Sequence, residues 1–307
     1  MLITVAICTY RRPDRVELAL ASLERQTYQG SDWEVLVVEN DGVGTPAMKA
    51  VYERHKDKLP LRHVVEPRIG LSSARNTGAR LSQADYVAYL DDDAEADPAW
   101  VAALVQECRE SRPDYCGGPN YALYRTPKPG WYLDRYARGT FYGDHPRWLG
   151  RDEILSGHVA VKRTLFAQLG WFRTDLGMTG KTLGYGEDTE MLMRAWAANP
   201  QLRVRYLPEA RVHHEVRPEK MTLRWNVRAA WATGRSCAIM SPSERRQAII
   251  GLMRCARDMA RRAGRAGQWR RQNEKECRHW QQWVYEEFCP WLLGFSRNLH
   301  ALCRWQR

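Results

Sequence analysis

Three carboxylates in a row, Asp91-Asp92-Asp93, follow the apolar run Tyr86-Val87-Ala88-Tyr89-Leu90 in the stretch YVAYLDDDAEADP. The apolar run reads as a short buried strand, so the triplet falls at its carboxyl end, the edge where ligands bind in an open α/β sheet. Adjacent carboxylates raise one another's pKa unless a cation or hydrogen-bond donors offset the repulsion. A hard divalent cation does this with oxygen ligands and also bridges to phosphate oxygens. A plainer reading makes the triplet an acidic turn, with Asp97 as the N-cap of a helix that Pro98 opens. A second acidic group, Glu187, Asp188 and Glu190 in GYGEDTEMLMRAWAA, falls in the first turn of a helix, where the macrodipole favours negative charge whatever the function. In ARVHHEV, neighbouring His213 and His214 of a strand point to opposite faces, so at most one of them faces a crevice.

The elements that would position these groups alternate between strand and helix over the first hundred residues, which predicts a parallel sheet with crossover helices. LITVAICTY is a first strand, and Pro13 starts a helix with Val16, Leu20 and Leu23 on one side. WEVLVVEN, Trp33 to Asn40, is nearly all apolar, as for a strand buried on both faces. LRHVVE is a weaker third strand, LSSARNTGARLS a helix after Gly70, and YVAYLDDD a fourth strand. Their tips, Thr9-Tyr10-Arg11, Glu39-Asn40-Asp41, Glu66-Pro67-Arg68 and the aspartate triplet, then line one edge, a crevice suited to a nucleotide with a metal-bound diphosphate. Neither GxGxxG nor GxxxxGK[ST] occurs, so a dinucleotide fold or a P-loop is unsupported. Further on, LRVRYLP and ARVHHEV read as strands, and His158 lies in a short strand, HVAV, without an assigned role.

The 307 residues suffice for one large domain and an appendage. MLITVAICTY lacks a basic leader and reads as a strand and not a signal peptide; no apolar stretch approaches a membrane span. Eight cysteines are scattered without metal-like spacing, as expected of reduced thiols in a cytosolic protein. The net charge of +11 sits in the tail: residues 217–307 hold 19 Lys plus Arg against 7 Asp plus Glu, whereas residues 1–216 hold 28 against 29. Such a segment favours anionic partners, whether nucleic acid, anionic lipid or an acidic saccharide carrier.

AICTYRRP, VVEN, GLSSARNTGA, YLDDDAEADP, GYGEDTEMLMRA and PEARVHHEV, in this order, resemble the family 2 glycosyltransferases of the GT-A fold, over about Leu2 to Ser236. FRTDLGMTGKTLGYGEDTE is similar to a bacterial branch that decorates surface polysaccharides or small acceptors. The resemblance implies a Rossmann-like α/β nucleotide-diphospho-sugar transferase domain, a mixed sheet flanked by helices. It implies a catalytic domain over residues 1–216, with a donor-binding half to about residue 100 and an acceptor half beyond it, and a helical extension over 217–307. It further implies an inverting displacement in which an acceptor hydroxyl attacks a nucleotide sugar, UDP-linked by preference, with Mn²⁺ or Mg²⁺ offsetting the leaving diphosphate. Carried onto this chain, Asp93 is the metal ligand, Asp92 a ligand or a ribose and phosphate neighbour, and Asp91 a support for the donor or its loop. Asp188 is the base, aimed by a turn that Gly184 and Gly186 permit, and Glu187 orients the acceptor or the loop. Thr9 and Arg11 match positions near base and ribose, and Arg75 reaches the base or diphosphate. Glu39 stands where the family has an Asp that accepts from uracil, a departure that adds a methylene. After Pro208, Ala210 and Val212 the family places a histidine, which selects His214 for the metal or the diphosphate.

In the tail, Ser241-Pro242-Ser243-Glu244 reads as N-cap, N1 proline and capping-box Glu. Ala248, Ile249, Leu252, Met253, Ala256, Met259, Ala260 and Ala263 then make a helical stripe, with Arg254, Arg257, Arg261 and Arg265 away from it. With the aromatic segment Trp280, Trp283, Tyr285, Phe288 and Trp291, this suits either a peripheral anchor at the inner face of the plasma membrane or a subdomain packed on the catalytic domain. The acceptor class stays open among saccharide, lipid-linked and small-molecule hydroxyls. Two rival readings fare worse. A sugar nucleotidyltransferase needs a glycine-rich basic loop that CTYRRPDR lacks, and a nucleic-acid binder would meet an acidic crevice that repels the backbone.

Overall fold

The computed structural model describes residues 1–137, 139–180, 182–272 and 279–303; Lys181 and Cys277 lie outside the described residues. The chain divides into two compact units. One comprises Met1–Leu123, Arg138–Thr174 and Glu187–Glu215, the other Tyr124–Ala137, Asp175–Gly186 and Val216–Arg307.

The first unit opens with β1 (Ile3–Thr9), α1 (Pro13–Glu24), β2 (Trp33–Glu39), α2 (Pro46–His55), β3 (Leu61–Val65), α3 (Leu71–Leu81) and β4 (Tyr86–Tyr89). It continues with β5 (Ala94–Ala96), α4 (Trp100–Glu110), β6 (Tyr115–Gly117), β7 (Asn120–Leu123), β8 (Arg147–Trp148) and β9 (Val159–Lys162). Last come α5 (Thr164–Leu169), α6 (Glu187–Ala198), β10 (Val204–Tyr206) and β11 (Val212–Glu215). Among the described residues eight strands form one mixed sheet, in the order β3-β2-β1-β4-β9-β6-β10-β8, and β5-β11-β7 form a smaller one. From β3 to β4 all pairs are parallel, and β9 runs antiparallel to both its neighbours. The chain enters at β1, lays β2 and β3 on one side and crosses to β4 on the other. That reversal sets the carboxyl ends of β1 and β4 side by side as a topological switch point.

Period-two alternation divides the core between the faces of the sheet. Ile3, Val5 and Ile7 cluster with Val16, Leu20 and Leu23 of α1 and with Trp100 and Leu104 of α4. Ala6, Val87 and Tyr89 cluster instead with Ala79 of α3, Phe166 of α5 and Met191 of α6. All seven residues of β2 are buried, the outcome expected when helices cover both faces. Each fully buried Leu, Ile or Val contributes about 1.5–3 kcal/mol. The sheet edges are modest. Two-residue β8 carries Trp148, with the Arg203 and Arg205 guanidinium groups 4.7 and 4.8 Å from its ring centroid. At the other edge Arg62 of β3 donates to Glu34 at 3.1 Å.

Asp97 does not cap a helix opened by Pro98. Ala94–Ala96 form a strand, the Asp97 N–H donates to the Arg211 carbonyl at 3.0 Å, and α4 starts only at Trp100. Pairing with β11 holds this backbone extended, and Asp97 Oδ1 accepts from Ala99 N at 3.4 Å.

The second unit contains α7 (Leu223–Met240), α8 (Arg245–Gln272), α9 (Trp280–Trp283) and α10 (Cys289–Cys303). Helix α7 has no counterpart in the sequence reading. It runs up to Ser241, whose N–H donates to the Cys237 carbonyl, so Ser241 closes α7 where α8 was expected to begin. The residue before Pro242 is pushed out of the helical region, and α8 starts at Arg245. The covered side of α8 is also rotated from the expected stripe. Ala248 is buried and Leu252, Cys255 and Met259 are half-buried, but Met253, Ala256, Ala260 and Ala263 are exposed. Contacts with α10 and the turn before it set this rotation: Trp291 Nε1 of α10 donates to the Cys255 carbonyl at 2.7 Å, and Arg262 pairs with Glu287 of the preceding turn Val284–Phe288. Arg254, Arg257, Arg261 and Arg265 are exposed as expected. Among the described residues no helix is long and apolar enough to cross a membrane, and the seven described cysteines are free.

Gly118 marks a close approach in the first unit. A Cβ there would stand 2.1 Å from the Ala210 carbonyl oxygen and 2.4 Å from that of Leu207. Gly118→Ala should therefore destabilise by about 1–3 kcal/mol, read as a lower denaturant midpoint at unchanged m-value. Gly264→Ala, where nothing lies within 4 Å of the added Cβ, should be neutral or stabilising by up to about 1 kcal/mol.

Candidate active site

Thr9 ends β1 and Asp92 follows β4, and the adjacency of these strands brings them together: Thr9 Oγ1 donates to Asp92 Oδ2 at 2.7 Å. Arg12, in the turn before α1, donates to Asp92 Oδ1 at 3.1 Å and stands 3.7 Å from Asp93 Oδ2. Burial, and after it the Asp93 charge, push the Asp92 carboxyl up to about 6 despite these partners. Asp93 is met from β11, with His214 Nε2 2.8 Å from its Oδ1. The antiparallel register His214↔Ala94 turns that ring toward the triplet. His213, on the other face, packs its ring 5.8 Å from Tyr121 and lies 4.0 Å from Asp97.

Arg75 of α3 organises the second wall. Its guanidinium donates to Glu187 Oε1 at 2.7 Å and to Asp91 Oδ1 at 3.3 Å, and lies 4.0 Å from Asp188 Oδ2. The rings of Tyr89 and Phe172 flank it at 5.4 and 5.8 Å, and the Tyr89 hydroxyl donates to the Arg75 carbonyl. Beside it, Asn76 clamps Phe172 by two backbone hydrogen bonds of 2.9 Å. This polar helix face is buried because its side chains have such partners. Asp188, at the start of α6, accepts from Gly157 N at 2.8 Å and from Thr189 N at 2.7 Å. Gly186 just before that helix has φ of 85°, the left-handed region expected of the turn. Burial drives the Glu187 carboxyl up to about 7, with Arg75 opposing and Asp188 adding to the rise. Burial acts the same way on Asp91, but His158, Arg75 and His214 outweigh it and hold Asp91 below its ordinary range.

His158, at the start of β9, lies between the walls. Its Nδ1 accepts from Asp91 N at 3.4 Å, its Nε2 is 3.9 Å from Asp91 Oδ2, and its ring is 5.6 Å from that of His214. It is 4% exposed, its Nε2 has no hydrogen-bond partner, and burial lowers its pKa to about 4, so the ring is neutral. One ligand-capable atom each from Asp91, His158 and His214 lie within 4.8 Å of one another.

The sequence-derived residues therefore gather unevenly. Thr9, Asp92, Asp93 and His214 form one connected set, and Arg75, Asp91, Glu187 and Asp188 another. Glu39 is fully buried and already engaged, accepting from Thr45 Oγ1 at 2.7 Å and lying 3.0 Å from His63 Nε2. Arg11 is exposed, at φ 56°, with its guanidinium over the Tyr10 ring and outside both sets. Sequence reasoning passed over Arg12 and His158. The doubled arginine after β1 was a signal for the first, since a basic side chain one turn past a strand tip can reach the next tip. His158 had a weaker one, a histidine inside an otherwise apolar strand.

Comparison with known proteins agrees with this architecture. The family model described as Glycosyl transferase family 2 matches residues 4–170. The chain is 28% identical over 240 residues to the succinoglycan biosynthesis protein ExoM of Rhizobium meliloti, an alignment covering 76% of this chain and 73% of that protein. Among solved structures, the mannosyltransferase PcManGT from Pyrobaculum calidifontis, in complex with GDP-Man and Mn²⁺, superposes with a TM-score of 0.64 at 19% identity, over 97% of this chain and 86% of that one. S. aureus TarS 1–349 in complex with UDP-GlcNAc gives 0.57 at 16% identity, over 76% and 66%, and the match spans 40% of the longer TarS chain. The mixed sheet flanked by helices, with its C-terminal helical region, is a GT-A fold, and the chain belongs to glycosyl transferase family 2.

Proposed function

We propose that the protein is an inverting, metal-dependent glycosyltransferase that moves a sugar from a nucleotide diphosphate, UDP by preference, to an acceptor hydroxyl in surface polysaccharide, glycolipid or glycosylated-metabolite synthesis. The observation that carries this reading is the switch-point crevice, in which the β1 and β4 tips join through Thr9 and Asp92 while Asp188 stands across Arg75 from Asp91. The ExoM relative, a succinoglycan biosynthesis protein by name, supports a saccharide acceptor.

A divalent cation fits the residues present. Asp93 and His214, with Asp92 beside them, offer carboxylate oxygens and an imidazole nitrogen within hydrogen-bond distance of one another, a mixed set that suits Mn²⁺ and, through oxygen alone, Mg²⁺. Such an ion would offset the charge of the leaving diphosphate. The chain's own residues do the rest. Arg12 and Thr9 hold the Asp92 carboxylate in place. Asp188 is pinned by two backbone N–H groups, which aim it as the base that takes the proton from the acceptor hydroxyl. Glu187, tied to Arg75, orients the acceptor side of the cleft. Glu39 and Arg11 belong to the nucleoside end. Each Glu39 oxygen keeps a further lone pair beside its contact with Thr45 or His63, but Glu39 is fully buried, so its surroundings have to shift if it is to accept from a base. On this reading residues 1–216 carry catalysis, and the exposed arginines of the 217–307 extension rest on anionic lipid at the cytoplasmic face of the membrane.

Asp188→Asn should lower turnover about 10²- to 10⁴-fold while UDP affinity stays within a few-fold, measured by initial rates and calorimetry. Asp93→Ala should lose activity and metal-dependent UDP binding together, and a chelator should do the same to the parent; full activity in either case contradicts the assignment.

Glu187 also makes stability depend on pH. An acid whose folded pKa, about 7, lies above its ordinary 4.5 binds a proton on folding, so its contribution is complete below about pH 4.5 and is lost as pH rises through 7. Relative to Glu187→Gln, the parent should therefore lose on the order of 1–3 kcal/mol of unfolding free energy between pH 4.5 and 8, read from denaturant titrations at both ends.

A further inference from the structure

The geometry of His158 separates two roles that its position leaves open. It sits among ligand-capable groups, with Asp91 and His214 close by, and so looks like an additional nitrogen ligand. A metal-bound imidazole, however, donates its other ring N–H to an acceptor, because the ligating nitrogen must present a lone pair and the neutral ring then carries its proton on the other nitrogen. At His158 the other nitrogen faces a donor. Nδ1 accepts from the Asp91 backbone N–H at 3.4 Å, and among the described contacts no other acceptor serves that N–H. A neutral ring with Nδ1 accepting carries its proton on Nε2. Flipping the ring would set a C–H against the Asp91 N–H and leave a buried backbone donor unpaired, at a cost of about 1–3 kcal/mol.

Nε2–H is then a buried donor without a hydrogen-bond partner, with Asp91 Oδ2 too far at 3.9 Å. Such groups are rare, and one buried between the two walls of a site calls for an acceptor from outside the chain. The acceptor has to enter a region crowded with Asp91, Asp92 and Asp93, where an N–H lying 3.9 Å from Asp91 Oδ2 complements an anionic oxygen brought in with its cation. We propose that His158 is not a metal ligand but a fixed hydrogen-bond donor to a diphosphate oxygen of the nucleotide sugar. This assignment rests on the nucleotide-sugar reading above for its ligand, though not for its tautomer.

Two measurements test it. In the substrate-free protein with ¹⁵N-labelled histidine, long-range ¹H–¹⁵N spectra should show His158, identified by the signal lost in His158→Asn, as the Nε2–H tautomer. That proton should persist and shift when UDP and Mg²⁺ are added together. An Nδ1–H tautomer, or conversion to it with Mg²⁺ and UDP, overturns the proposal in favour of ligation. By calorimetry with Mn²⁺ present, His158→Ala should bind UDP about tenfold more weakly than the parent, with His158→Asn, which keeps an N–H donor, in between. UDP binding at parental strength in a folded His158→Ala overturns the phosphate contact. Weakening seen only with a UDP-sugar, and not with UDP, overturns it too and moves the contact to a sugar hydroxyl. If the parent binds neither UDP nor GDP, the nucleotide-sugar reading fails and takes the phosphate contact with it; the tautomer of the substrate-free protein is read separately and tells the two failures apart.

Discussion

The charge balance of the crevice depends on one buried guanidinium. Arg75 is 4% exposed and held between two aromatic rings, yet it serves three carboxylates that belong to different parts of the chain. Taking such an ion out of water costs several kcal/mol, and only a dense set of partners makes the burial tolerable. Here the partners are Glu187 and Asp188 at the start of α6 and Asp91 past β4, so one side chain of α3 ties together two acidic segments far apart in sequence. The arrangement leaves Glu187 strained, since its carboxyl is too deeply buried for Arg75 alone to keep it an ordinary acid. Asp188 beside it is partly open and accepts from two backbone N–H groups, so two adjacent acids sit at different depths.

Much of this was legible before any coordinates. The run WEVLVVEN is nearly all apolar, which pointed to a strand covered on both faces in the middle of a parallel sheet. The aspartate triplet after YVAYL placed acids at a strand tip, and strand parity alone required His213 and His214 to part company, as their contacts with Tyr121 and Asp93 show. Six short motifs in register pointed to the family that the comparisons established.

What escaped the sequence was set by contacts far apart in the chain. The strand Ala94–Ala96 exists because β11, more than a hundred residues later, pairs with it, and that pairing overrode a cap-like Asp-Pro signal at Asp97. Helix α8 presents Ala248, Leu252 and Cys255 inward because α10 lies against them, whereas the periodicity of small and apolar residues alone favoured a stripe turned toward Met253 and Ala256. His158 is the clearest case. A histidine in an apolar stretch is only a weak signal, and its contact with the Asp91 N–H becomes visible once β9 pairs with β4.

The two ends of the large sheet bear on how the protein behaves at high concentration. A long flat terminal strand offers a row of unpaired backbone groups onto which a neighbouring molecule can add its own strand. Here β8 is two residues long, with arginines packed over its exposed tryptophan, and β3 at the opposite end bears an arginine tied back to Glu34. The β8 margin is thus too short to template much pairing, and the β3 margin carries an arginine that hinders it. A chain with a wide eight-stranded sheet can in this way be kept in crowded surroundings without growing into stacked aggregates from its rims.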